Sequence, residues 1–136
     1  MGIKIWKAVE LKSLGPSLAP KVDALHVASQ ALADFGNYNA LVVHREASGE
    51  AEWHENAADL MVVQSGEGAL TLGGTIEGGY SMAPGEIRGA SIDGGESYPV
   101  APGDIINIPA KTPHRMMLAP GGNITYFLVK LPVAHE

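Results

Sequence analysis

From residue 38 onward the chain is cut, at short and regular intervals, into strand-length segments separated by turn residues. Runs at residues 38–46, 50–55, 60–64 and 69–72 come first, punctuated by Ser48-Gly49, Ser65-Gly66 and Gly73-Gly74. Two more, at 86–92 and 97–100, lie inside a Gly- and Pro-rich stretch over 73–103, and runs at 105–108, 115–118 and 124–131 follow it. Segments of this length suit strands and are too short for free-standing helices. Seventeen Gly and nine Pro favour tight turns over long helices. Short strands joined by turns bury their apolar faces by stacking two sheets or closing one, so the expectation is an all-β sandwich or barrel. There is no internal repeat and no low-complexity tract.

The first 36 residues read differently. Residues 3–12 alternate loosely and predict an edge strand. Residues 22–35 place Val22, Leu25, Ala28, Leu32 and Phe35 three or four positions apart, which is helical spacing, with Gly36 as a C-terminal cap. At the other end, residues 130–136 read as a short tail after the last strand. A chain of 136 residues, 46% hydrophobic and 18% charged, is the size and composition of one globular domain. The absence of cysteine excludes disulfides, thiolate nucleophiles and iron–sulfur clusters, and leaves a metal site only His, Asp, Glu and amide oxygens. A net charge of -6 with scattered Lys and Arg gives no basic face for nucleic acid. Lys4, Lys7 and Lys12 interrupt the N-terminal apolar residues, and no run approaches a membrane span. The expectation is a soluble cytoplasmic protein with no nucleic-acid or membrane partner.

Two segments carry the chemistry. One runs from Gly49 through Glu52, His54 and Asp59 to Gly66; the other runs from Gly103 through Pro109 to His114. Glu52 and His54 stand two apart on a strand, so they share a face. Asp59 opens the next strand after a short turn, and His114 opens a late strand after a Pro-containing turn. Two imidazoles with up to two carboxylates make a donor set suited to Mn, Fe, Zn or Ni. Plainer readings stand beside this one. Either His alone can be a buried, hydrogen-bonded structural residue; Asp59 suits a turn start; Glu52 beside a turn can simply be solvated. Met61, Val63 and Met116 share parity with Asp59 or His114 and should form an apolar inner wall.

These segments resemble the two motifs of the cupin superfamily. The first family motif has a His-x-His pair, then a Glu, then a Gly seven residues on; counting back from Gly66 puts Asp59 at the Glu, His54 at the second His and Glu52 at the first. An alternative registration makes His54 the first His and Asn56 the second. In the second motif Gly103, Pro109 and His114 match, while Lys111 stands where Gly is usual and Leu118 where Asn is usual. The resemblance covers residues 38–131. It implies an antiparallel double-stranded β-helix, or jelly roll, in a single domain of residues 1–136. Residues 1–36 would be an N-terminal extension and 37–131 the barrel, with at most one short helix. It further implies one divalent metal ion per chain, held by Glu52, His54, Asp59 and His114, and a homodimer.

Two functions follow as expectations. One is a mononuclear metalloenzyme acting on a small polar metabolite, of dioxygenase, isomerase or lyase type, with His44 or Glu52 as general base. The other is a non-catalytic module that binds or senses a small molecule; a barrel whose metal site has decayed is a variant of it. His44 shares its strand face with Tyr38 and Val42, with Arg45 on the opposite face, and it also reads as a satisfied structural histidine. His26 and His135 carry no role. Gly73-Gly74 and Gly78-Gly79 lack the Lys-Ser or Lys-Thr of a phosphate loop and read as hairpin turns.

Overall fold

In the computed structural model, which describes residues 3–133, the chain opens with helix α1 (Ala8–Leu18), followed by a 3-10 turn over Ala19–Lys21. The edge strand expected over 3–12 is therefore corrected to the start of a helix. Leu11, Leu14 and Leu18 recur at helical spacing and supply its less exposed face, whereas Ile3 and Ile5 are left in solvent. The helix expected over 22–35 is corrected to strand β1 (Val27–Asp34). It pairs along its length with β2 (Asn39–Arg45), from Val27 opposite Arg45 to Asp34 opposite Asn39. Gly36 caps no helix. It takes φ +96° in the hairpin between these strands, where Phe35 N–H donates to Tyr38 O at 2.9 Å and the Phe35 and Tyr38 rings stack.

Eleven further strands follow: β3 (Ala51–His54), β4 (Ala57–Gly66), β5 (Gly68–Leu72), β6 (Thr75–Glu77), β7 (Tyr80–Ala83), β8 (Glu86–Gly89), β9 (Ser91–Asp93), β10 (Glu96–Val100), β11 (Ile105–Ile108), β12 (His114–Met117) and β13 (Ile124–Pro132). The strand expected over 86–92 is split in two at Ala90, and the chain after Lys130 is not all tail, since β13 continues through Pro132. His135 lies outside the described residues.

A five-stranded sheet, β1-β2-β13-β4-β11, faces a six-stranded sheet, β10-β5-β12-β3-β8-β7, and β6 and β9 make a separate ribbon. All pairings are antiparallel. The sheets are not hydrogen-bonded into a closed ring, so this jelly roll is a sandwich with open edges. Between them lies the core, which includes Val43, Met61, Val63, Leu70, Ile108, Met116, Tyr126 and Leu128. Met61, Val63 and Met116 point inward as expected. The N-terminal segment covers the outer face of the five-stranded sheet: Trp6 packs on Phe127, and a Cβ on Gly15 would lie 2.7 Å from Thr125 Oγ1. No helix among the described residues is long and apolar enough to cross a membrane.

Candidate metal centre

Strand β3 ends in Glu52-Trp53-His54, which turns Glu52 and His54 to the inner face together. Its neighbour β12 brings His114 directly opposite Glu52. Across the sandwich, β4 presents Asp59, with Lys130 of β13 as its cross-strand partner. Donor atoms of Glu52, His54 and His114 all lie within 4.8 Å of one another. Asp59 Oδ2 faces both rings, 3.3 Å from His54 Nε2 and 3.5 Å from His114 Nε2, and Glu52 Oε2 lies 3.7 Å from His114 Nε2. His54, His114 and Asp59 are each 2–3% exposed. Glu52, His54 and His114 thus form one group of donors on one sheet, and Asp59 faces its two rings from the other. Asn56, the alternative ligand, is exposed in the turn after β3.

The second ring nitrogens decide what the first can do. His114 Nδ1 lies 2.9 Å from Thr112 O, a pure acceptor, so Nδ1 carries the proton and donates. His54 Nδ1 lies 2.7 Å from Glu86 Oε1 and donates in the same way. In the neutral rings both Nε2 atoms are then lone pairs, aimed at the Asp59 carboxylate. Neither makes a hydrogen bond, and Asp59 Oδ1 is also without one. Buried polar atoms are rarely left so. Lone pairs converging on a carboxylate repel unless a cation sits between them. Fixing the tautomer through a carboxylate or carbonyl on the far nitrogen is how metal-binding histidines are held. The donor set therefore fits a divalent ion on its own geometry.

The charges here act on two groups in different senses: they keep Asp59 ionised, and they favour a proton on His54, with which an ion would have to compete. Burial alone would raise the Asp59 pKa, but the close approach of His114 and His54 and the charge of Lys130 outweigh it and hold the carboxyl well below its usual range. Burial opposes the His54 imidazolium, yet Asp59 and then Glu86 more than offset it, and the ring is held above the ordinary histidine value. Lys130 Nζ lies 3.6 Å from Asp59 Oδ1, and Arg88 Nη1 lies 2.8 Å from Glu52 Oε1.

Three of these partners escaped the sequence reading. Glu86 and Arg88 share one face of β8, opposite His54 and Glu52 in register, and their two-residue spacing was the available signal. Lys130 follows Ile124, Tyr126 and Leu128 on the inward parity of β13, a periodicity that the tail reading cut short.

His44 is placed elsewhere. It lies with Val42 on the outer face of β2, beneath α1, while Arg45 takes the inner face and donates from Nε to Tyr126 OH at 3.0 Å. The His44 ring is occupied at both nitrogens, 2.8 Å from Thr125 Oγ1 and 2.8 Å from Glu46 Oε2. The sheet stands between it and the metal group.

No protein-family model matches the sequence, and no curated protein matches it. Among solved structures the chain is similar to Pac13, a nucleoside dehydratase, at 14% identity over 83% of this chain and 75% of that one, with a TM-score of 0.58. It is similar to the polyketide cyclase RemF from Streptomyces resistomycificus, at 19% identity over 80% and 66%, with a TM-score of 0.55. It is also similar to a cupin-like protein from Thermotoga maritima, at 15% identity over 77% and 68%, with a TM-score of 0.56. Likeness at these identities speaks for the backbone. With two facing antiparallel sheets and both motif segments converging between them, the chain has the fold of the cupin superfamily.

Proposed function

We propose that this chain is a mononuclear metalloenzyme acting on a small polar metabolite, of dioxygenase, isomerase or lyase type. The observation that carries the reading is the pair of orphaned Nε2 atoms on His54 and His114, both aimed at Asp59. His54, His114, Asp59 and Glu52 would hold the ion, which as a Lewis acid would polarise a substrate oxygen. The protein's own part is preorganisation. Glu86 and the Thr112 carbonyl fix the two rings; Arg88 fixes Glu52; His114, His54 and Lys130 together keep Asp59 ionised. Met61, Val63 and Met116 make the neighbouring wall apolar, which limits water and strengthens every charge interaction inside. His44 lies on the far side of the sheet, so the general base of this reading is not His44. The enzyme neighbours, a nucleoside dehydratase and a polyketide cyclase, support a cupin site used for catalysis without naming the reaction.

Elemental analysis of protein purified without added metal tests the reading. About one Zn, Fe, Mn or Ni per chain is expected, abolished by His114→Ala and retained by His44→Ala. Absence of metal from the wild type, with none taken up on titration, would leave the small-molecule binding module as the better account. We further propose a homodimer, because β1 leaves one edge of the five-stranded sheet unpaired. Light scattering at micromolar concentration tests it, and a monomer mass would refute it.

A further inference from the structure

Between the metal group and the β1 edge of the sandwich lies a small cavity of about 100 Å³, lined by Arg45, Arg88, Glu50 and Ser48 with Leu25 and Val27. Two guanidinium groups line this one partly open space. Arg88 spends Nη1 on Glu52, but its Nε is buried without a hydrogen-bond partner. Arg45 spends Nε on Tyr126 and has no ion-pair partner among the described residues. The backbone makes room for it: a Cβ on Gly49 would lie 2.8 Å from Arg45 Nη1 and 3.0 Å from Cζ. Glu52 joins this cavity to the metal group, since one of its oxygens is bonded to Arg88 and the other faces His114 Nε2.

We propose that Arg45 and Arg88 form a carboxylate-binding subsite beside the metal group, so that the substrate is a small monocarboxylate anchored there. Planar guanidinium forks match carboxylate geometry and bind it with charge-assisted hydrogen bonds. Arg88 is already ion-paired with Glu52, and Glu50 adds a second carboxylate to the lining, so among the described residues Arg45 is the guanidinium here without an ion pair, which suits a monoanion better than a phosphate dianion. A volume of about 100 Å³ admits a small carboxylic acid. Calling the occupant a substrate rests on the metalloenzyme reading; the anion subsite rests on Arg45 and Arg88 alone.

The test is calorimetric titration of the protein as purified, its metal content measured in parallel, with glycolate, its neutral isostere glycolamide, and inorganic phosphate. Glycolate should bind at least about tenfold more tightly than either of the others. Arg45→Gln should weaken glycolate about tenfold to a hundredfold and leave metal content unchanged, since Arg45 does not touch the metal group. Should Arg45→Gln fail to fold, Arg45→Lys and Gly49→Ala carry the test, both with weakened glycolate binding. The proposal is overturned if glycolate does not bind the wild type at millimolar concentration, if glycolamide or phosphate matches it, or if the folded variants bind it as the wild type does. If no sample contains metal but glycolate binding still depends on Arg45, the metal reading fails and the subsite stands.

Discussion

Glu86 reaches the metal group only through His54, yet its carboxylate sets which nitrogen of that ring is free. Removing it lets the ring rotate and lose its tautomer preference. Glu86→Ala is therefore expected to weaken metal binding about tenfold to a hundredfold, measured by competition with a coloured chelator, without unfolding the protein. Lys111 shows the opposite situation, a residue carrying strain. It stands where the cupin motif has Gly and adopts φ +61°, while its N–H donates to His54 O at 2.7 Å. A side chain in the left-handed region costs about 1–2 kcal/mol, and the extra unfolded-state freedom of Gly takes back part of that. Lys111→Gly should raise stability by about 0.5–1 kcal/mol in a denaturant melt. A fall in stability would mean that the Lys side chain contributes more than its backbone costs.

At the scale of elements, what was legible in the sequence was whatever had local cause. Short segments bounded by turn residues marked β2 to β5 and β10 to β13 to within a few residues, and Glu52, His54, Asp59 and His114 were read from spacing within them. The first 36 residues were misread because their pattern is decided by partners. Residues 22–35 carry helical spacing, but they lie against β2, whose unpaired edge outweighs a weak local preference. The turn residue Gly36 serves a hairpin as readily as a helix end. Helix α1 was missed because its three leucines at helical spacing overlap a loosely alternating stretch, and the sheet it covers is built from residues far along the chain. Its docking is tight where Gly15 crosses Thr125. Gly15→Leu is expected to destabilise the protein by about 1–3 kcal/mol through overpacking, while metal content stays at the wild-type level because the site lies on the other face of the sheet. Loss of metal along with stability would show that α1 supports the site and does more than cover the outer face.

Over the whole molecule, charge is buried with a partner and pH reports on it. Burial raises the Tyr126 pKa, the charge and hydrogen bond of Arg45 pull it back in part, and the net shift is upward. The folded chain thus holds this proton to higher pH than the unfolded chain. The stability it contributes is complete below the ordinary tyrosine value of about 10 and is lost as pH rises through the folded value. Urea midpoints between about pH 9 and pH 11.5 should fall in the wild type and fall less in Tyr126→Phe. The proposed metal centre has a consequence of another kind, because the residues that would hold the ion come from both layers of the sandwich: Glu52, His54 and His114 from one sheet, Asp59 from the other. Stripping the ion with a chelator is expected to lower the melting temperature by about 10 °C, given an affinity that keeps the wild type saturated at about a hundredfold over Kd. The ion would act as a rivet. With it in place, backbone amides of β4 and β12 should exchange with deuterated solvent as one slow unit; without it, each sheet would open on its own schedule. Metal supply would then govern how long a molecule survives proteolysis, apart from any chemistry it performs.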